Sequence, residues 1–316
     1  MNARGVLLVS FLLLFIACGD DAADGDPPVN TTESTTPTTT AESDPLVGRA
    51  EVELIDEGYG FTEGPQWMPD DGVLLFSDVP GNTIYQVGAD DEITVYRRPS
   101  RFSNGLAVDP EGRLIVAESG TRRVTRSESD GTVAAIADRF EGARLNEPND
   151  IAVRSDGTIY FTDPLFGDAA QAELDFRGIF RIAPDGGLTA ERRGATTEAP
   201  NGLALSPDES LLYVTNYAAD LVWVMDVAAD GTLSEARTFV TTGIGPDGVA
   251  VDDAGNLFVA TGRGIEVFAP DGARWGVISV PRTPANCAFG GVNGRTLFIT
   301  AEEGLYRVTL TNPGPY

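Results

Sequence analysis

Six polar side chains head repeated units along the chain: Glu63, Asn104, Asn149, Asn201, Asp247 and Asn286, spaced by 41, 45, 52, 46 and 39 residues. Each carries a carboxylate or an amide oxygen. Four have a further feature in common. Glu63 in FTEGP, Asn149 in EPND, Asn201 in APNG and Asp247 in GPDG each have a proline nearby and are followed by Gly or Asp. Proline fixes the approach of the chain, and glycine admits close backbone packing near an axis. Two carboxylates and two amides supply hard oxygen donors and a formal charge of −2, a set that suits Ca²⁺ with waters completing the shell. Mg²⁺, Mn²⁺ and Zn²⁺ are the alternative occupants. The chain has no His, and Cys287 is the one cysteine outside the N-terminal segment, so the N and S ligands favoured by zinc and copper are scarce. A metal-free polar plug is the competing reading, and it carries the cost of two crowded carboxylates. With neither His nor Lys in the sequence, a general base must be a carboxylate or a hydroxide held by the metal. Asp247 is the first candidate and Glu63 the second. No serine has a His–acid pair to activate it as a nucleophile.

The elements that must position these residues follow from the repeat. At residues 200–216, PNGLALSPDESLLYVTN, an apolar run, a Pro-Asp turn and a second apolar run succeed one another. A period in the forties made of short strands predicts an all-β, six-bladed propeller with a central metal-binding channel. In the second unit, strands are expected at Leu106–Val108, Leu114–Ala117, Arg122–Arg126 and Thr132–Ile136, with burial falling outward. If each ring residue opens an innermost strand, the second strand returns to the same face. Its end then places Asp78, Glu118, Asp163, Asn216 and Thr261 beside the ring. Asn216 and Thr261 are expected to satisfy local backbone amides, whereas Asp163 is expected to serve function. The long insertion between Asp163 and Gly178 is placed over the ring face, with Phe166 and Phe176 as candidate pocket walls. The last unit offers only three strands, so Glu51–Ile55 is predicted to complete its blade and close the disc.

Residues 1–18 read as a signal segment. Arg4 precedes the apolar run Val6–Ala17, and Ala17-Cys18 resembles a lipoprotein junction with Cys18 as the lipidation site. Residues 19–47 are an acidic Thr/Ser/Pro-rich tether with too little apolar surface to fold, leaving residues 48–316 for the propeller. The expected location is the bacterial cell envelope, periplasmic or surface-exposed, on a lipid anchor. The net charge of −26 argues against nucleic acid as a partner. A monomer is expected.

FTEGPQW, RLNEPNDIAVRSDGTIYFTDP, APNGLALSPDESLLYVTN, GPDGVAVDDAGNLFVA and NCAFGG together resemble the senescence-marker-protein/gluconolactonase/luciferin-regenerating-enzyme family of six-bladed propellers. The resemblance runs from about Glu51 to Leu310. It implies a divalent metal, usually calcium, held by Glu63, Asn149, Asn201 and Asp247, and hydrolysis of lactones, with organophosphate esters for some relatives. It also implies that Arg101, Asn104, Glu118 and Asp163 contact substrate. The chain departs from many bacterial gluconolactonase-like sequences in having Ser119 where they carry His, which leaves sugar-lactone specificity open. On this reading the cation polarises the lactone carbonyl while a carboxylate takes the proton of the attacking water. The alternative is a non-catalytic, calcium-dependent propeller that captures a sugar or peptide.

Overall fold

The computed structural model describes residues 44–315. The signal segment, Cys18 and nearly all of the tether lie outside the described residues. Among the described residues, six four-stranded antiparallel sheets follow one another in chain order, and a two-stranded ribbon joins the second to the third. Their first strands are Thr62–Met68, Ser103–Val108, Ile151–Val153, Pro200–Leu205, Val249–Val251 and Pro284–Gly290. Each contacts the first strand of the next sheet, and the sixth contacts the first, so the ring is closed around an axis. This is the six-bladed propeller that the repeat predicts.

Burial grades outward within a blade. In the second blade, Leu114–Glu118 is buried at every position, while the outermost strand, Val133–Ala137, alternates between exposed and half-buried residues before its buried end. An apolar run covered on both faces and an alternating run covered on one are what these two positions require. Apolar faces of adjacent blades then pack together. Phe258, Ile265 and Val267 of the fifth blade share a cluster with Leu297, Ile299 and Tyr306 of the sixth. Stacked Phe161 and Phe180 rings, 5.1 Å apart, centre the cluster between the second and third blades.

The sixth blade is closed by a strand from the N-terminal side. Glu53–Glu57 pairs antiparallel with Gly304–Thr309, from Glu53 opposite Arg307 to Glu57 opposite Gly304, across a bulge between Leu54 and Asp56. The pairing begins two residues later than the alternation of Glu51–Ile55 suggests, and Arg307 fixes its start by binding the Glu53 carboxylate at 3.0 Å. The ribbon Arg139–Phe140/Ala143–Arg144 was not legible in the sequence pattern. It turns on Glu141 and Gly142, both at positive φ.

Candidate active site

The ring residues are held by the second strands of neighbouring blades. Ser77 Oγ donates to the Asn104 carbonyl at 2.8 Å, Thr162 Oγ1 to that of Asn201 at 2.6 Å and Thr215 Oγ1 to that of Asp247 at 2.6 Å. Buried hydroxyls thus fix the backbone from which each oxygen-bearing side chain projects. The position after each ring residue is Gly in four repeats, because the neighbouring blade presses against it. A Cβ on Gly105 would lie 2.4 Å from Asp150 Oδ1, and one on Gly248 would lie 2.0 Å from the Asn286 amide. Those glycines cannot be replaced without moving the ring.

Asp150 occupies this second position in the third repeat, and the sequence reading passed over it. Its carboxylate is buried, accepting from the Ile151 amide at 3.0 Å and from Asn286 Nδ2 at 3.3 Å. Asn286 also lies close enough to Glu63 to favour its charged form. The signal available in sequence was the exception itself: four repeats place Gly after the ring residue, and the third places an acid.

Glu63, Asp150 and Asp247 act on one another, and no arginine among the described residues neutralises any of the three. Burial, reinforced by the Asp150 charge, pushes the Glu63 carboxyl up to about 8 against the pull of the Gly64 amide and Asn286. Burial pushes Asp150 up to about 6. Asp247 lies well above the ordinary carboxylate range, through burial first and then the charges of Glu63 and Asp150, with the nearby Asn201 side chain acting in opposition. Asp247 nevertheless keeps some solvent exposure, as does Asn104, whereas Glu63, Asn149 and Asn201 are buried. The ring is therefore reached from solvent beside Asp247 and Asn104.

This donor set fits a hard divalent cation. Three acids stand without a counter-charge, and Asn104 Oδ1 is buried with no donor. Among the described residues no three His, Cys, Asp or Glu side chains form a cage on their own, so holding the ion depends on the amide oxygens of Asn149 and Asn201. Behind the ring, the first strands enclose a channel cavity of about 650 Å³, lined by apolar residues such as Leu106, Ile151, Leu203 and Val249, with Asp150 and Asn286 also on its wall.

The second set of polar residues ends beside the ring, and most are engaged locally. Asp78 accepts from the amides of Gly60, Phe61 and Gly81. Asn216 accepts from Ala199 and Ala218, and Thr261 is tied to Gly264 and Arg263. Glu118 is buried, with one oxygen on Thr125 and the other on Thr121 and Arg123. Asp163 accepts from the Asn146 amide at 2.8 Å, while its Oδ1 has no partner; burial pushes its carboxyl up to about 7.

The insertion after Asp163 leaves from the ring face. Glu147, two residues before Asn149, accepts from the Phe166 and Gly167 amides at 2.7 and 2.9 Å and so pins the loop to the ring segment. Phe166 is half exposed and meets Tyr217 edge-on at 5.6 Å. Phe176 is buried against Phe140 and Phe180 in the core between blades, so it walls no pocket. Arg101 sits at the same face with φ of 67°, two residues before the strand that carries Asn104.

A closed six-bladed propeller with an acid-and-amide ring at one mouth of its axial channel defines the class of this protein. Within that class, the chain belongs to the SMP-30/gluconolactonase/LRE-like family, whose model matches residues 61–303. It is 37% identical over 295 residues to a gluconolactonase from Zymomonas mobilis subsp. mobilis, covering 81% of this chain and 80% of that one. It is 28% identical over 265 residues to a pentonolactonase from Haloferax volcanii, covering 79% and 84%. Among solved structures, a gluconolactonase from Xanthomonas campestris superposes with a TM-score of 0.77 at 35% identity, covering 84% of this chain and 91% of that one.

Proposed function

We propose that this protein is a calcium-dependent hydrolase of lactones, acting at the ring of Glu63, Asn149, Asn201 and Asp247. The observation that carries the reading is the convergence of Glu63, Asp150 and Asp247 at one mouth of the channel, with no Arg side chain among the described residues pairing with them. Its relatives named as lactonases support the reaction class. Bound in the ring, the cation would supply electrophilic polarisation of the lactone carbonyl. The chain's own groups do the rest. Asn201 lies beside Asp247 and favours its charged form. Asp247, the ring acid open to solvent, takes a proton from a water that attacks the carbonyl carbon. As the acyl C–O bond breaks, Asp247 returns that proton to the departing ring oxygen, and the product is a hydroxy acid that releases its carboxyl proton to solvent. Glu63, enclosed and bonded to the Gly64 amide at 3.0 Å, is placed to hold charge rather than to meet water.

The test is a panel of lactones and carboxylic esters on chelator-stripped protein, with and without added Ca²⁺. Turnover of at least one lactone that disappears on stripping and returns with Ca²⁺ is expected. Ca²⁺ binding without turnover of any panel member would leave a binding module instead.

The propeller is proposed to work in the cell envelope on a lipid attached to Cys18. Cys18→Ser is expected to move the protein from the membrane fraction to the soluble fraction or to block its processing. Mass spectrometry of the mature N-terminus checks this, and an unmodified terminus elsewhere would defeat it.

A further inference from the structure

The ring face carries exposed apolar side chains in a regular arrangement. Phe61 and Phe102 each stand two residues before a ring residue, in the first and second blades. Phe166 follows the second strand of the third blade, and Tyr217 follows that of the fourth. Ile244 precedes Asp247 in the fifth. Each of the first five blades thus contributes one such residue, with exposures from 39% to 76%. Part of this crown is contiguous: Phe166 meets Tyr217, and the Tyr217 ring lies against Gly245, the neighbour of Ile244. The sixth blade differs, presenting Arg282 in ion pairs with Glu302 and Glu303.

A polyhydroxylated ligand would need free hydrogen-bonding groups at this level, and besides Arg101 those found are Asp163 Oδ1 and, in the ring below, Asn104 Oδ1. Asp78, Asn216 and Glu147 are turned onto backbone amides, and Glu118 is closed within its own blade. Arg101 is exposed and has no ion pair or side-chain hydrogen bond among the described residues. An anionic membrane is a poor occupant for a chain of net charge −26. We infer that the crown accommodates an apolar substituent, so that the substrate class is a neutral lactone bearing an alkyl or aryl group rather than a sugar lactone. The inference rests on the lactonase reading for the ring and adds to it the identity of what lies above the ring.

The experiment separates the two. Binding of two lactams, which keep the carbonyl but resist hydrolysis, is measured by calorimetry on the Ca²⁺-loaded full-length protein: piperidin-2-one and its 6-pentyl derivative. Each methylene removed from water is worth about fourfold in affinity, so partial burial of the pentyl chain predicts tighter binding by about 10-fold or more. In the double variant Tyr217→Ser/Ile244→Ser that ratio is expected to fall to about threefold or less. Among lactones, kcat/KM is expected to rank δ-decalactone above δ-valerolactone and both above glucono-δ-lactone. Equal affinity for the two lactams, or a ratio untouched by the double variant, overturns the proposal whether or not any lactone is hydrolysed. Equal affinities together with cosedimentation on phosphatidylcholine vesicles would assign the crown to a bilayer surface and overturn it as well. A lactam ratio as expected with no lactone turnover sinks the hydrolase reading alone and upholds the apolar specificity of the crown.

Discussion

Asp247→Asn is expected to lower kcat for lactone hydrolysis by about 10²–10⁴-fold at saturating Ca²⁺, the usual range for removing a general acid–base group. The substitution keeps an oxygen donor and nearly the same volume. It removes the negative charge and the ability to take a proton. Asp247 combines two features that neither Glu63 nor Asp150 has together: it belongs to the ring and it retains solvent exposure. Because the variant also loses a charge, it is expected to bind Ca²⁺ more weakly, so the rate must be followed as Ca²⁺ rises. A rate that stays low once binding is saturated supports the base. Full recovery at high Ca²⁺ would make Asp247 a ligand only and transfer the proton-accepting role to Glu63. Since the sequence contains no His, the pH–rate profile of the parent protein is expected to follow a carboxylate.

The metal-free protein is expected to lose stability as pH rises from 5 to 8, and Ca²⁺ is expected to reverse this. The sign follows from proton counts. Glu63, Asp163 and Asp150 hold their protons in the folded state up to about 8, 7 and 6 respectively. In the unfolded chain they release them near 4. Between those limits the native state binds more protons, so unfolding becomes easier as pH increases. A cation competes with the protons at the ring, so its stabilising effect is larger at pH 8 than at pH 5. At about 100 times its Kd it adds about 2.7 kcal/mol, or about 5–10 °C in Tm for a domain of this size. Thermal melts in about 0.5 M salt, where repulsion among surface acids is screened, isolate the buried groups. Metal-free protein as stable at pH 8 as at pH 5 would contradict the assignment.

The blade repeat was legible because a strand covered on both faces must be an unbroken apolar run, as at Leu114–Ala117 and Leu257–Ala260. The ring was legible for a related reason. A polar residue at the same place in six repeats, in or just before an apolar strand, has no packing role to explain it. What stayed hidden depended on partners distant in sequence. Asp150 becomes part of the site through Asn286, 136 residues away, and no local pattern encodes that contact. Glu118 and Asp163 read alike as acids ending a buried strand. Only the fold reveals that Glu118 has both oxygens engaged while Asp163 has one without a donor. Phe176 read as a candidate pocket wall, yet the insertion folds back and delivers it to the core.

Joining Glu53–Glu57 to the last strand sets an order on the assembly of the disc. The pair Glu53–Arg307 spans 254 residues, so this seam forms only after almost the whole chain has been made. In a disordered chain, bringing such distant ends together costs about (3/2)RT ln n, several kcal/mol. Once five blades have stacked, their curvature has already delivered the sixth beside the first, and most of that cost has been met by other contacts. The seam is therefore a latch on an almost finished ring. Until it shuts, Thr62 lacks the sixth-blade carbonyl of Gly304 that its hydroxyl binds at 2.9 Å. The ring of oxygens becomes whole in the same event that makes the chain continuous around its axis.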